Sequence, residues 1–535
     1  MNYDIKKILL DLISIQSDTG TYKECNIENY IFDILKSSPY FTKNTDLLGL
    51  YGENDILNRH VVWALKDNYV KDTIILISHY DAAPIDNYGP LAKYALNPEM
   101  LRKELKSIDL DDLAKKDLQN DDWLWGRGSC DMKSGIAINL NTILTNESKK
   151  NNILFLSVPD EENISCGMRS ATNLLYDLKE KYNLNYKLLI LTEPHQRKNL
   201  NTFNIHCGSV GKIMPLIFVK GKVSHVSNIL TGLNPIPLLN ELVNRLDLNK
   251  DFCFSDKGSL TSPPTVLGVK DLRQSYDVSI PEMSAAYFNM NFFKNVPIEN
   301  ILDKILELSK ETVKNYLFKL KGVYKNFNDT SLEVPHIEVL SYREFKNIYL
   351  NKLKNINCTL SSIYKEIDNK VNSQQMNLQE SSIYLITRLV KECNINHPIV
   401  IIGAIPPYYS AVNNDYIINN RYEGNINIST YLSSTIDIIK TTLIKYDLNL
   451  EIQPYFMGIS DLSYTSCTDP FSEKQMLDNL IVSPNLYNID FEKISKLNIP
   501  SINIGPFGRN LHENTERVYL KDVLEHIPKI LNNII

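Results

Sequence analysis

The sequence predicts an α/β protein: a mixed, largely parallel sheet flanked by helices, interrupted by an inserted α+β unit. Two observations carry this. Through the first two hundred residues, short apolar runs of strand length alternate with stretches of helical periodicity, the pattern of strands joined by crossover helices. After Gly208 the order changes to strand, strand, helix, strand, helix, strand, which makes a self-contained unit.

The first segment justifies this element by element. Residues 3–15 place Ile5, Ile8, Leu9, Leu12 and Ile13 on one helical face, and residues 26–36 do the same with Ile27, Ile31, Ile34 and Leu35. Residues 60–65 alternate as a strand. Residues 73–77 are apolar throughout, like a strand covered on both faces, and end at Ser78-His79-Tyr80-Asp81. Residues 88–122 are rich in Lys and Asp, with helical spacing around Leu101, Leu105 and Leu110; they read as a surface excursion near the site entrance. A helix is expected over 136–144 and a strand over 153–158, which runs into Pro159-Asp160-Glu161-Glu162. A helix over 167–181 precedes a strand at 186–191 that ends at Thr192-Glu193-Pro194.

In the inserted unit, 210–223 reads as two strands joined at Lys220-Gly221, 233–247 as a helix, 284–293 as a strand, 298–320 as a long amphipathic helix and 333–340 as a strand. The expected division is therefore 1–208, an insertion at 209–340, and 341–535. In the last segment 343–395 is helical and charged. A strand at 397–403 is followed by Pro406-Pro407-Tyr408-Tyr409, a helix covers 426–446, and a strand at 448–456 ends at Gly458-Ile459-Ser460-Asp461. The last strand, 499–504, leads to His512, and a helix over 519–533 closes the chain.

At 535 residues the chain exceeds the roughly 250–300 at which a single core stops growing. A net charge of −6 with no basic stripe argues against nucleic acid as the main partner. The eight cysteines form no Cys-x-x-Cys pair, as expected of reduced thiols. The first residues begin an amphipathic helix and not an export signal, and no apolar run approaches the ~18 residues that cross a bilayer. The expectation is a cytoplasmic protein with no membrane span.

The chemistry centres on Asp160-Glu161-Glu162. Crowded carboxylates are unfavourable unless a cation neutralises them, and a carboxylate beside a metal site is the usual general base. His79, Asp131, Glu161, Glu162 and Glu193 each follow an apolar run, which puts them beyond the carboxyl ends of strands, where ligands bind in such sheets. Each has a plainer reading alone: an acidic turn, a buried histidine at a strand end, or, for Asp131, the N-cap of the next helix. As a set with His512, oxygen and imidazole donors without thiolate suit zinc, with cobalt or manganese as alternatives. A carboxylate shared by two ligand groups would hold two metals ~3.5–4 Å apart. His79-x-Asp81 places both side chains on one side of an extended segment, where Asp81 can fix the imidazole tautomer.

These residues, with Gly126-Arg127-Gly128-Ser129-Cys130-Asp131-Met132-Lys133-Ser134-Gly135 and the His512/Glu516 pair, occur in the order found in the M20 family of dinuclear zinc peptidases and amidohydrolases, which the chain resembles from residue 79 onward. The resemblance implies a zinc-exopeptidase-type sheet and a ferredoxin-like lid. It also implies two divalent metals, one held by His79 and Glu193, the other by Glu162 and His512, with Asp131 bridging. Glu161 would be the general base, serving a hydroxide between the metals, and Asp81 would orient His79. Gly221-Lys222-Val223-Ser224-His225 matches the lid segment whose histidine reaches the substrate carbonyl, often from the partner subunit of a homodimer; such a donor suits a developing oxyanion.

The chain departs from the family pattern in its 88–122 segment and in the stretch before Asp461. These features resemble the arginine-utilisation branch. Arg509 could bind a substrate carboxylate or be a solvated loop residue. The expected function is hydrolysis of an amide or peptide bond in a small peptide or acyl-amino-acid substrate. The alternatives are an N-acyl amino-acid deacylase, or a non-catalytic binding or regulatory protein that keeps the fold.

Overall fold

Eight strands form one sheet in the order Leu48–Tyr51, Val61–Lys66, Asn152–Val158, Asp72–His79, Asn185–Leu191, Ser501–Asn503, Thr202–His206, Asn449–Gln453. The computed structural model describes residues 3–52, 55–273, 275–327, 333–353, 356–419 and 425–535. Asp72–His79 lies at the sheet's centre, parallel to both Asn152–Val158 and Asn185–Leu191. Ser501–Asn503 continues the parallel set, while Val61–Lys66 runs antiparallel at its side. Strands covered on both faces lose every side chain to the interior: all seven residues of Asn152–Val158 are buried, as a continuous apolar run predicts.

Helices cover the sheet. Ile5–Ser14 buries Ile5, Ile8, Leu9, Leu12 and Ile13 and is capped by Asp4, whose side chain accepts from Lys7 N. Lys133–Thr145 is buried along most of its length. The 86–118 segment is not a loose excursion. Its helices Pro98–Leu105 and Asp112–Leu118 bury Leu101, Leu105, Ala114 and Leu118 against Trp123 and Trp125. Trp123–Trp125 in turn pairs with Arg517–Tyr519. Among the described residues no helix is long and apolar enough to cross a membrane.

The chain divides into two units, one of 1–209, 412–468 and 490–535, the other of 210–411 and 469–489. The second unit carries a five-stranded sheet in the order Thr265–Asp271, Met283–Phe292, Gly211–Lys220, Ile399–Tyr409, Glu338–Ser341. The boundary expected at 340 therefore falls inside it. Glu338–Ser341 pairs in parallel with Ile399–Tyr409, and the helix Leu378–Glu392 buries Leu385, Ile386 and Leu389 in the same core. The two strands expected over 210–223 are a single strand, Gly211–Lys220, because its whole length is paired between two neighbours. The strand expected at 333–340 begins at Glu338.

Candidate metal centre

Strand register assembles the centre. His79 ends the central strand opposite Val158 in the parallel ladder, so the turn after Val158 emerges beside it. That turn carries the three acids. The Asp160 carbonyl accepts from Ile164 N at 3.2 Å and Ser165 N at 2.7 Å, and Asp160 itself sits at φ +68°, a conformation Asp tolerates better than most residues. Asp81 ties the turn to the central strand: Oδ1 accepts from Glu161 N at 3.0 Å and Oδ2 from Glu162 N at 3.1 Å.

The same aspartate orients His79. Nδ1 lies 3.1 Å from the Asp81 carbonyl and 3.4 Å from its Oδ1. A carbonyl only accepts, so Nδ1 carries a proton there, which leaves Nε2 to donate to the ionised Asp131 carboxylate or to take a cation in the proton's place. Nε2 faces a crowd of oxygens: Asp131 Oδ1 at 3.1 Å, Glu193 Oε1 at 3.6 Å and Glu161 Oε2 at 4.0 Å. On the other side, His512 Nε2 lies 2.8 Å from Glu162 Oε1 and 3.2 Å from Asp131 Oδ2. The two oxygens of Asp131 thus serve two separate groups, His79–Asp131–Glu193 and Asp131–Glu162–His512, each with its ligand atoms within 4.8 Å of one another. The first group is buried; His512 is 49% exposed, which leaves the second open to solvent.

A further set of side chains holds His512 in place. Its carbonyl accepts from Arg127 Nη2 at 3.0 Å, Arg127 pairs with Glu516, and Glu516 Oε1 accepts from the backbone N–H groups of Cys130 and Asp131 at 3.2 Å each. Glu516 therefore couples the His512 loop to the Asp131 loop. Asp117, from the helical excursion, holds both Arg509 and Arg517. Arg509 stacks over Trp123 at 4.8 Å, so it is neither a free solvated residue nor an open anion ligand.

The electrostatics are those of a site short of positive charge. Burial raises Glu161 well above the ordinary carboxylate range, with Glu193 and Asp461 adding to the rise and His79 opposing it. Burial and then Asp131 push Glu193 up to about 8. Asp131 is held low despite its burial, because His512 and His79 hydrogen-bond it, and His512 is correspondingly raised to about 11 by Asp131 and Glu162. Glu193 Oε2 is buried with no hydrogen-bond partner among the described residues. Orphaned, crowded carboxylate oxygens with two imidazoles fit divalent cations of the zinc type.

Sequence reasoning gave no role to Asp461, at the end of the segment after Asn449–Gln453. It is 1% exposed, and neither carboxyl oxygen has a hydrogen-bond partner among the described residues. Burial raises it to about 7, and Asp81 and Asp160 add to the rise. His79 opposes the rise, as does the Ser165 side chain. Its only sequence signal is its place after an apolar strand. His225 belongs to the second unit, exposed before the turn Val226–Thr231, where its Nδ1 lies 2.7 Å from Ser227 Oγ.

Buried acids and imidazoles beside the central strand of an α/β sheet, in two groups sharing one carboxylate, have the donor set of a dinuclear metal centre. The chain belongs to peptidase family M20/M25/M40, whose description matches residues 108–534. It is 29% identical over 551 residues to the uncharacterized protein YqjN of Bacillus subtilis strain 168, covering 99% of this chain and 96% of that one. Protein RocB of the same strain is 27% identical over 548 residues, with 98% and 93% covered. Among solved structures, an M20 family metallo-carboxypeptidase from Sulfolobus solfataricus shares the fold at a TM-score of 0.50, with 13% identity, 99% of this chain and 98% of that chain covered.

Proposed function

We propose that the protein hydrolyses an amide or peptide bond in a small amino-acid-derived substrate. His79, Asp131 and Glu193 would hold one divalent cation, and Asp131, Glu162 and His512 a second, zinc before cobalt or manganese. When bound, the cations supply Lewis acidity at the scissile carbonyl and lower the pKa of water. The observation that carries this reading is the division of Asp131 between the two imidazoles, 3.1 Å from His79 and 3.2 Å from His512.

Glu161 is the general base. Its backbone is pinned to Asp81, and its carboxyl, raised by burial, has the proton affinity to take a proton from attacking water and release it to the leaving nitrogen. Asp81 keeps the His79 proton on Nδ1. His225 would donate toward the developing oxyanion, reaching the site of a partner subunit in a homodimer.

The test is a turnover screen of acylated amino acids and dipeptides, arginine-containing compounds first, with zinc, cobalt and manganese, run beside Glu161→Gln. Metal-dependent release of amine by the native chain and its loss in the variant are expected. Equal rates for the two proteins would end the assignment.

A further inference from the structure

The helical excursion has a second surface. Helix Pro98–Leu105 turns Leu101 and Leu105 inward against Trp123 and Trp125. Other positions pair at intervals of four, Glu99 with Lys103 and Arg102 with Lys106 at the C-cap, which stacks them in adjoining rows. Lys6 and Leu10, also four apart, belong to Ile5–Ser14. The two helices line one cavity of about 520 Å³, whose wall also includes Asp121, Leu124 and Trp125.

Its charge is lopsided. Lys6, Arg102, Lys103 and Lys106 are set against only Glu99 and Asp121, a surplus of two positive charges in a chain whose net charge is −6. Arg102 and Asp121 offset each other, with Nη1 2.6 Å from Oδ1. No described residue forms an ion pair or side-chain hydrogen bond with the ammonium groups of Lys6, Lys103 or Lys106. Glu99 can answer one of the three. Two N–H donors add to the demand for an acceptor: Arg102 Nε and Trp125 Nε1 are buried without a hydrogen-bond partner among the described residues, and Trp125 is wholly buried. Buried donors left unpaired are destabilising, and a ligand oxygen is their complement. An anion of one charge would leave a cation unanswered. A phosphate monoester carries about −1.5 to −2 near pH 7 and three acceptor oxygens. Leu10, 37% exposed, and Leu124 offer its organic part an apolar wall.

We propose that this cavity binds a phosphate monoester with an apolar body, at a site separate from the metal centre. None of the centre's ligands lines it. The full chain, loaded with zinc and again after chelation, is titrated calorimetrically with phenyl phosphate, inorganic phosphate and benzoate. Phenyl phosphate should bind tightest in both states, because inorganic phosphate lacks the apolar body and benzoate the second charge. Lys103→Gln and Lys106→Gln should each weaken it about tenfold. Lys149→Gln, outside the cavity, should leave it unchanged. All three lysines are exposed, so the variants should fold. No binding, or equal affinity in the native chain and the two cavity variants, overturns the proposal. Binding that chelation abolishes also overturns it, by placing the phosphate at the metal centre. So does inorganic phosphate or benzoate bound as tightly as phenyl phosphate, which would remove the apolar body or the second charge from recognition.

Discussion

Arg59 Nη1 lies 2.8 Å from Asp160 Oδ1, with 5% and 1% of the two side chains exposed. The same nitrogen is 2.7 Å from Glu24 Oε1, and Nη2 is 2.9 Å from Asp55 Oδ1. The first acid of the Asp160-Glu161-Glu162 run is thus neutralised by a guanidinium. Glu161 and Glu162 are left for the centre, and the turn that presents them is anchored from behind.

Arg59→Met would strip Asp55, Asp160 and Glu24 of their shared cation. Removing one partner of a buried ion pair costs about 3–5 kcal/mol, and a loss of that size is expected in denaturant melts. Arg59→Lys should recover only part, since an ammonium lacks the planar fork. Melts that coincide with the native protein's would show that the network contributes nothing.

Glu161→Gln keeps the shape of the side chain and removes its basicity. Turnover should fall about 10²- to 10⁴-fold while metal content, measured by elemental analysis, stays unchanged. Substantial residual activity would assign the proton transfer elsewhere.

The two ligand groups should separate by mutation. His512→Ala should lower the bound metal by one equivalent, His79→Ala by the other, and Asp131→Ala should weaken both. An unchanged count in the His512 variant would take that residue out of the set.

Metal-free protein should carry a signature in pH. Burial raises Glu193 to about 8 and Asp461 to about 7 in the folded chain, against roughly 4 for unfolded carboxyls. The folded state then binds these protons more tightly, so their stabilisation is complete below about pH 4 and is lost as pH rises toward 8. His512, raised to about 11, acts in the same direction. Denaturant melts of chelated protein should therefore show stability falling across this window, and added zinc should flatten the slope. A rise in stability would contradict the burial argument.

His225→Ala should lower kcat about 10²- to 10³-fold, the usual cost of losing one oxyanion donor, with the melting curve unchanged. Native kinetics would return His225 to the surface.

Much of this was legible in the sequence because His79, Glu162 and Glu193 each follow an apolar run long enough to be read as a buried strand. Arg59 was not: it follows Asn58 in a polar stretch, and its three acidic partners, 4, 35 and 101 residues away, meet only in the folded chain. The strand Thr202–His206 escaped because its alternation, Thr-Phe-Asn-Ile-His, is short and polar. It is held in the sheet by pairing with Asn449–Gln453. Ile399–Tyr409 runs through two prolines, which usually end a strand; there the paired register breaks between Ile405 and Tyr409. The 340 boundary failed because the helices after it are charged on one face and apolar on the face that meets the sheet.

Asp131 and His512 stand 381 residues apart in the chain, and the loop bearing His512 is fastened by Arg127, Asp117 and the late strand Arg517–Tyr519. The second ligand group therefore cannot form until residues 512–519 have been synthesised and have docked against the Asp131 loop. On the proposed two-cation reading, a chain lacking residues 512–519 would carry its acidic turn with only the buried ligand group, His79, Asp131 and Glu193, to hold a cation.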